Sequence, residues 1–291
     1  HFNTVLLSAS SSGAIFGSSA VSASTTPALT LRNNIFVNTS IVNGAGLAVA
    51  YRRSSTTLTT YSSASNNNVF YTNSAYYTDG TNTDATFNAY KTRVSTRDAG
   101  SFSELPSFLS TTCGNSNFLK INTVTPTQVE SGGATISGIT DDFEGDTRNA
   151  TTPDIGADEF TGILADITGP AISYTVLGNT ACLGNVTLSA VITDASLVNS
   201  APGTKPRLYF KKSTDANTYV GNSNTDNGWK FVEATNSVSP YSFTTDYSLL
   251  QAGLSAGDVI QYFVVAQDLA GTPNVGINNG SFAATPSSVS L

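Results

Sequence analysis

The sequence predicts an all-β protein in two parts, a stack of short-stranded coils followed by an antiparallel sandwich. Three observations carry this expectation. Charged residues make up only 11 % of the chain, far below the ~25 % of average soluble proteins. Ser, Thr, Asn and Gly take their place, which favours strands and tight turns over helices. Short apolar segments alternate with Asn- and Ser-rich turns up to residue 160, and about seven strand candidates at sandwich-like spacing follow Gly169-Pro170.

The coil reading starts from a repeat. Leu29-Thr-Leu-Arg-Asn-Asn-Ile-Phe-Val-Asn38 has the pattern of Ser65-Asn-Asn-Asn-Val-Phe-Tyr-Thr-Asn73, and Asn34 to Asn68 is a step of 34 residues, inside the roughly 20–50-residue window of repeat architectures. Coils of short strands bury Ile35 and Val37, then Val69 and Tyr71, on one stacked face. Asn side chains at matching turn positions stack their amides from coil to coil and satisfy one another. Gly46–Tyr51 alternates in the same way and adds a strand to the layer. The competing reading of these Asn runs is a disordered polar loop; the bracketing Ile-Phe-Val and Val-Phe-Tyr segments favour order.

The expected division is coils and their cover over residues 1–160, a linker over 161–168, and a sandwich over 169–291. The sandwich strands are Ala171–Val176, Val186–Thr193, Arg207–Lys211, Trp229–Glu233, Tyr241–Tyr247, Val259–Ala266 and Ser281–Ala284. In the sixth, Tyr262, Val264 and Ala266 share one face, yet Phe263 and Val265 are also apolar, so both faces are buried. Trp229 opens a strand and reads as a core plug rather than a ligand platform.

Taken in order, Leu31–Asn38, Ser65–Phe70, Asp98–Phe108, Asp141–Arg148 and Pro153–Phe160 resemble the terminal portion of right-handed parallel β-helix proteins. They are similar in particular to secreted multi-domain surface proteins of Bacteroidota, many exported by the type IX route, in which a motif like Asp154-Ile-Gly-Ala-Asp-Glu-Phe160 closes the β-helix. The later part resembles immunoglobulin-like or fibronectin-III-like modules through Ile192-Thr-Asp194, Tyr209–Lys212, Gly257–Phe263 and Ala266–Gly271. The resemblance implies a surface location and a role in adhesion or polymer contact, and no defined reaction.

Several function classes are excluded or disfavoured on composition. The chain has 13 basic and 20 acidic residues, net −7, which suits neither nucleic acid nor an anionic membrane surface. No apolar run is long enough for a membrane-spanning helix. His1 is the only histidine, so a Ser-His-Asp or Cys-His arrangement is not expected, and no HExxH, P-loop or GxGxxG motif occurs. The chain has no Met, and an excised or processed segment of a longer protein is expected. Cys113 and Cys182 are too few for a disulfide framework or metal site; both are buried or free thiols, or they pair across the junction.

Asp141, Asp142, Glu144, Asp146, Asp154, Asp158 and Glu159 place seven carboxylates within 19 residues. Oxygen ligands at this density suit calcium, and the first six are the candidate metal ligands. The other reading is structural: Arg148 pairs with one carboxylate and the rest cap turns or are solvated. Tyr71, Tyr76 and Tyr77, in a Tyr-rich region with Tyr61 and Tyr90, are candidate glycan-stacking residues. Asp194 and Asp268 each open a turn after a strand, which Asx-turns explain. Arg52, Arg53, Lys91, Arg93 and Arg97, with Asp98, could act as base and acid in polysaccharide cleavage, or form a solvated basic edge.

The expected function is therefore a non-catalytic structural and adhesive segment of a secreted or cell-surface protein, a stiff stalk with a presenting module. It requires no cofactor, and its partners are further domains of the same protein and a glycan or cell-surface polymer. The rivals are a polysaccharide lyase or hydrolase with catalytic coils upstream, and a carbohydrate-binding module. Residues 100–160 are expected to cover the last coil's edge through Phe102, Leu105, Phe108 and Phe118.

Overall fold

A computed structural model describes residues 1–25 and 27–278. Strands take 30 % of the chain and helix 5 %, which makes the protein all-β. The chain divides between Ala165 and Asp166 into two compact units. The last expected strand, Ser281–Ala284, lies outside the described residues.

In the first unit the chain alternates between two parallel stacks. One holds β1 (Thr4–Leu7), β3 (Ile35–Asn38) and β5 (Val69–Thr72); the other holds β2 (Ser18–Ala23), β4 (Ala48–Arg53) and β6 (Ala75–Thr78), with the short β7 (Thr83–Asp84) antiparallel to β6. Register is in step through the first stack: Thr4 pairs with Ile35 and Ile35 with Val69, while Leu6 pairs with Val37 and Val37 with Tyr71. The second stack is likewise parallel and pairs Tyr51 with Tyr77.

The Asn repeat sets this register. Asn3 Nδ2 donates to Asn34 Oδ1 at 2.9 Å, Asn34 Nδ2 to Asn68 Oδ1 at 2.8 Å, and Asn68 Nδ2 to Asp98 Oδ1 at 2.9 Å. Asn33 and Asn67, just before two of these rungs, have φ of 56° and 55°. That left-handed region admits Asn at little cost, so the paired Asn-Asn dipeptide supplies both the turn and the rung.

Alternation along β3 splits its side chains between two cores. Phe36 joins Phe70, Tyr51, Tyr61, Tyr77 and Tyr90 in an aromatic interior. Ile35 and Val37 join Val69, Ile121, Val129 and Ile155 on the opposite face. The segment after residue 100 therefore covers a sheet face rather than only an edge. It reaches back along the stack: Gly156 N donates to Asn33 O, and Ala157 N to Thr4 Oγ1. Phe102 does extend the stack, bridging to Val69, and both Phe102 and Phe108 pack on this core. Leu105 and Phe118 do not: they are 47 % and 41 % exposed, because the face is already filled by the Ile and Val side chains.

The helix α1 (Phe87–Val94) was not anticipated. Thr86 caps it by accepting from Ala89 N, Lys91 and Arg93 sit in its last turn where cations oppose the dipole, and Tyr90 and Val94, one turn apart, bury against the aromatic interior.

The second unit packs two antiparallel sheets face to face. One has the order β12 (Tyr241–Thr244), β9 (Thr187–Thr193), β8 (Ala171–Tyr174); the other has β11 (Lys230–Glu233), β10 (Arg207–Lys212), β13 (Ile260–Gln267), β14 (Val275–Asn278). Along β9, Leu188, Ala190 and Ile192 are buried and the residues between them exposed, the mark of a strand with one wet face. They meet Leu208, Val264 and Ala266 of the facing sheet. The sheet of β10 and β13 is buried on both sides, as expected for β13. Tyr209, Phe263 and Val265 point away from the sandwich core, where Trp229 packs on Phe263 at a ring separation of 4.7 Å. Gly276 in β14 has a steric origin: a Cβ there would lie 2.0 Å from Pro170 O.

Candidate metal centre

Three aspartates converge at one end of the second unit. Asp194 follows β9 and Asp268 follows β13; Asp166 lies five residues before β8. Antiparallel pairing of Ala171 with Thr193 sets the approach to β8 beside the end of β9. The loop after Asp194 then runs along the end of β13, with Asn199 N donating to Gln267 O and Val198 bridging to Asp268. As a result one carboxylate oxygen from each aspartate lies within 4.8 Å of the others.

Local turns hold each carboxylate in place. Asp194 Oδ1 accepts from Ser196 N at 2.8 Å. Asp268, fully buried, accepts from Ala270 N and Asn274 N on Oδ1 and from Asn274 Nδ2 on Oδ2. Asp166 Oδ1 accepts from Thr168 N and Oγ1, while Asp166 Oδ2 is buried with no hydrogen-bond partner. Among the described residues, no Lys or Arg forms an ion pair with any of the three.

The electrostatics diverge within this group. Burial, with the neighbouring Asp166 and Asp268 charges, pushes Asp194 up. Donors from Thr168, with the Ser196 and Asp194 side chains, hold Asp166 down to about 2. Like charges this close favour a shared proton or a cation between them. A hard divalent ion that takes several oxygens, calcium above all, matches the donor set chemically.

The acidic segment expected to bind calcium is used differently. Among the described residues, Asp166, Asp194 and Asp268 form the group of three carboxylates close enough for one ion, and Asp141, Asp142, Glu144, Asp146, Asp154 and Asp158 form no such group. Asp142 Oδ1 accepts from Glu144, Gly145 and Asp146 N, and its Oδ2 from Glu159 N. Asp154 accepts from Ser131 N and Phe160 N, and Asp158 from Ile121 N. Glu144 pairs with Lys120, and Glu159 with Arg148 at 3.1 Å. Asp141 makes a turn contact with Thr140. Residues 103–165 contain no regular strand, so their backbone donors need side-chain acceptors, and these carboxylates supply them.

The tyrosines are also redistributed. Tyr77 is fully buried and offers no stacking face. Tyr71 packs partly on the Ile and Val core, and Tyr76 lies against Phe87 with its hydroxyl 2.7 Å from Ser103 Oγ. The pleat explains this: Tyr77 and Tyr51 point inward at the same register, and Tyr76 points the other way. The basic residues are committed to structural partners. Arg93 grips Asp84 with two bonds, Arg97 donates to Tyr61 O and Leu58 O, and Arg52 to Ser19 Oγ. Arg53 is buried and donates to Thr57 O. Asp98 is buried beneath the Tyr61 and Tyr90 hydroxyls. Cys113 and Cys182 are free and exposed.

Taken along the chain, Asp194 and Asp268 are separate turn residues and Asp166 carries no motif. The signal that could have joined them is positional: each carboxylate flanks a sandwich strand at the same end. Comparisons with protein-family models, curated proteins and solved structures find no match for this chain. No helix among the described residues is long and apolar enough to cross a membrane.

Proposed function

We propose that this chain is a structural, adhesive segment of a secreted or cell-surface protein. In this reading the first unit is the end of a right-handed parallel β-helix with its cover, and the second is an immunoglobulin-like presenting module. The observation that carries the proposal is the in-register Asn ladder between parallel strands, ending on buried Asp98. Backbone and side-chain hydrogen bonds both run from coil to coil, which builds a stiff stack rather than a mobile cleft. Its partners are further domains of the same protein and a glycan or cell-surface polymer.

The test is incubation of the full chain with neutral and uronate polysaccharides. The proposal expects no released reducing ends and no unsaturated products; release of either would make the rival lyase or hydrolase reading correct.

A second reading is favoured by one atom. Asp166 Oδ2, buried without a donor in regular hydrogen-bond geometry and converging with Asp194 and Asp268, supports a divalent cation, calcium by its oxygen chemistry, held by the three aspartates. The ion would tie the entry to β8 to the ends of β9 and β13 and stiffen the module.

A further inference from the structure

Beside α1 the first unit carries an open groove of ≈ 410 Å³, within the size range of small-ligand sites (roughly 300–1,000 Å³). The partly exposed rings of Phe87 and Phe102 line it together with the polar side chains of Thr86, Asn88 and Ser103. Lys91 fastens its two walls, donating from Nζ to Ala99 O at 2.7 Å and Ser101 O at 3.2 Å. Tyr76 ties Ser103 to the β6 side. The groove is thus formed before any ligand arrives, which lowers the cost of binding.

We infer that this groove is a binding subsite for one pyranose ring of a neutral polysaccharide. A pyranose presents a patch of C–H groups beside several hydroxyls. Aromatic rings suit the first, and hydroxyl and amide side chains, which both donate and accept, suit the second. A wholly apolar ligand would strip water from the exposed Asn88 amide without replacing its hydrogen bonds, an unfavourable outcome. A polyanion is disfavoured: the Lys91 ammonium is already engaged with two carbonyls, and the chain carries net −7. The site lies next to Tyr76 but is built on Phe87 and Phe102. The inference rests on the adhesive reading above and names the ligand class for it.

The test uses the full chain with cellohexaose, xylohexaose, mannohexaose, chitohexaose and oligogalacturonate, followed by calorimetry and by amide chemical shifts. At least one neutral oligomer should bind in the millimolar range or tighter and shift the Asn88 and Ser103 amides. Phe87→Ala should weaken binding at least tenfold. Because that variant could disturb the core, Asn88→Ala, on an exposed helix position, is the second probe and should weaken binding about fivefold, the value of roughly one hydrogen bond. Binding of oligogalacturonate alone, no binding by any neutral oligomer, or shifts confined to other residues would each overturn the assignment. Failure to bind, with no cleavage products in the polysaccharide assay, would remove the groove and leave the structural reading standing.

Discussion

Asn68 donates its side-chain amide to Asp98 at 2.9 Å and thereby ends the amide ladder on a buried carboxylate. The same carboxylate accepts from Ser101 Oγ at 2.6 Å and from the hydroxyls of Tyr61 and Tyr90, each at 2.5 Å. Burial, with the nearby Asp98 charge, pushes both tyrosines well above their ordinary range. They stay protonated and keep donating. Asp98→Asn replaces an acceptor oxygen with a donor amide facing donors. It should cost about 2–3 kcal/mol, the scale of hydrogen bonds to a charged group, measured by urea unfolding. An unchanged midpoint would remove Asp98 as the ladder's terminus.

The ladder also predicts a gradient. Asn34 sits between two rungs, with its amide and backbone N–H both bonded to Asn68 Oδ1, and is fully buried. Asn3 is exposed. Asn34→Ala should destabilise by about 1–3 kcal/mol, the penalty of stranding buried partners, and Asn3→Ala by about 0.5 kcal/mol or less, as for ordinary surface positions. Equal losses in denaturation experiments would argue against a cooperative, buried ladder.

The acidic residues of the cover should give two opposite pH responses. Burial pulls Asp142 up, but backbone donors from Glu159, Asp146, Glu144 and Gly145 outweigh it and hold the group below its usual value. Its contribution is present at neutral pH and is lost as pH falls through the folded-state value, below the carboxylate reference of about 4. Asp154 behaves the other way: burial raises it to about 7 despite donors from Phe160 and Ser131. Its unfolded form releases its proton near pH ~4 and its folded form near 7, so stability declines with rising pH across that window. Unfolding followed from pH ~4 to ~8 should show a slope that Asp154→Asn reduces, with Asp158 and Asp194, also raised by burial, supplying the remainder; an identical slope in the variant would rule out Asp154 as a source.

Calcium should raise the melting temperature and excess chelator should lower it. A ligand at a hundred times its dissociation constant adds about 2.7 kcal/mol. Asp166→Asn is the informative variant, because Asp268 also holds Asn274 and its loss would disturb the fold directly. The variant should fold and lose the calcium response. A wild-type chain indifferent to both calcium and chelator would retire the cation reading.

Trp229 is 4 % exposed, and its indole N–H donates to Asn217 Oδ1 at 3.0 Å. Trp229→Ala should cost about 3–5 kcal/mol, the range for a large aromatic lost from a core, as read by thermal unfolding. A cost under about 1 kcal/mol would mean that the outer face of β10 and β13 is not a true core.

Local chemistry alone determined much of the protein. Asn-Asn at Asn33-Asn34 and Asn67-Asn68 specified both turn and rung, and the period-2 pattern of β9 specified a strand with one wet face. Those signals work over a few residues and need no knowledge of neighbours. Tertiary structure decided what the sequence left open. Leu105 and Phe118 are as apolar as Phe102 and Phe108, yet only the latter two found space on the Ile and Val face. The carboxylates of 141–159 look like cation ligands when counted along the chain, but backbone donors without strand partners claimed most of them. Asp166, Asp194 and Asp268 lie far apart in sequence and meet only because β8 begins on the side where β9 and β13 end, an adjacency that strand pairing creates and spacing along the chain does not encode.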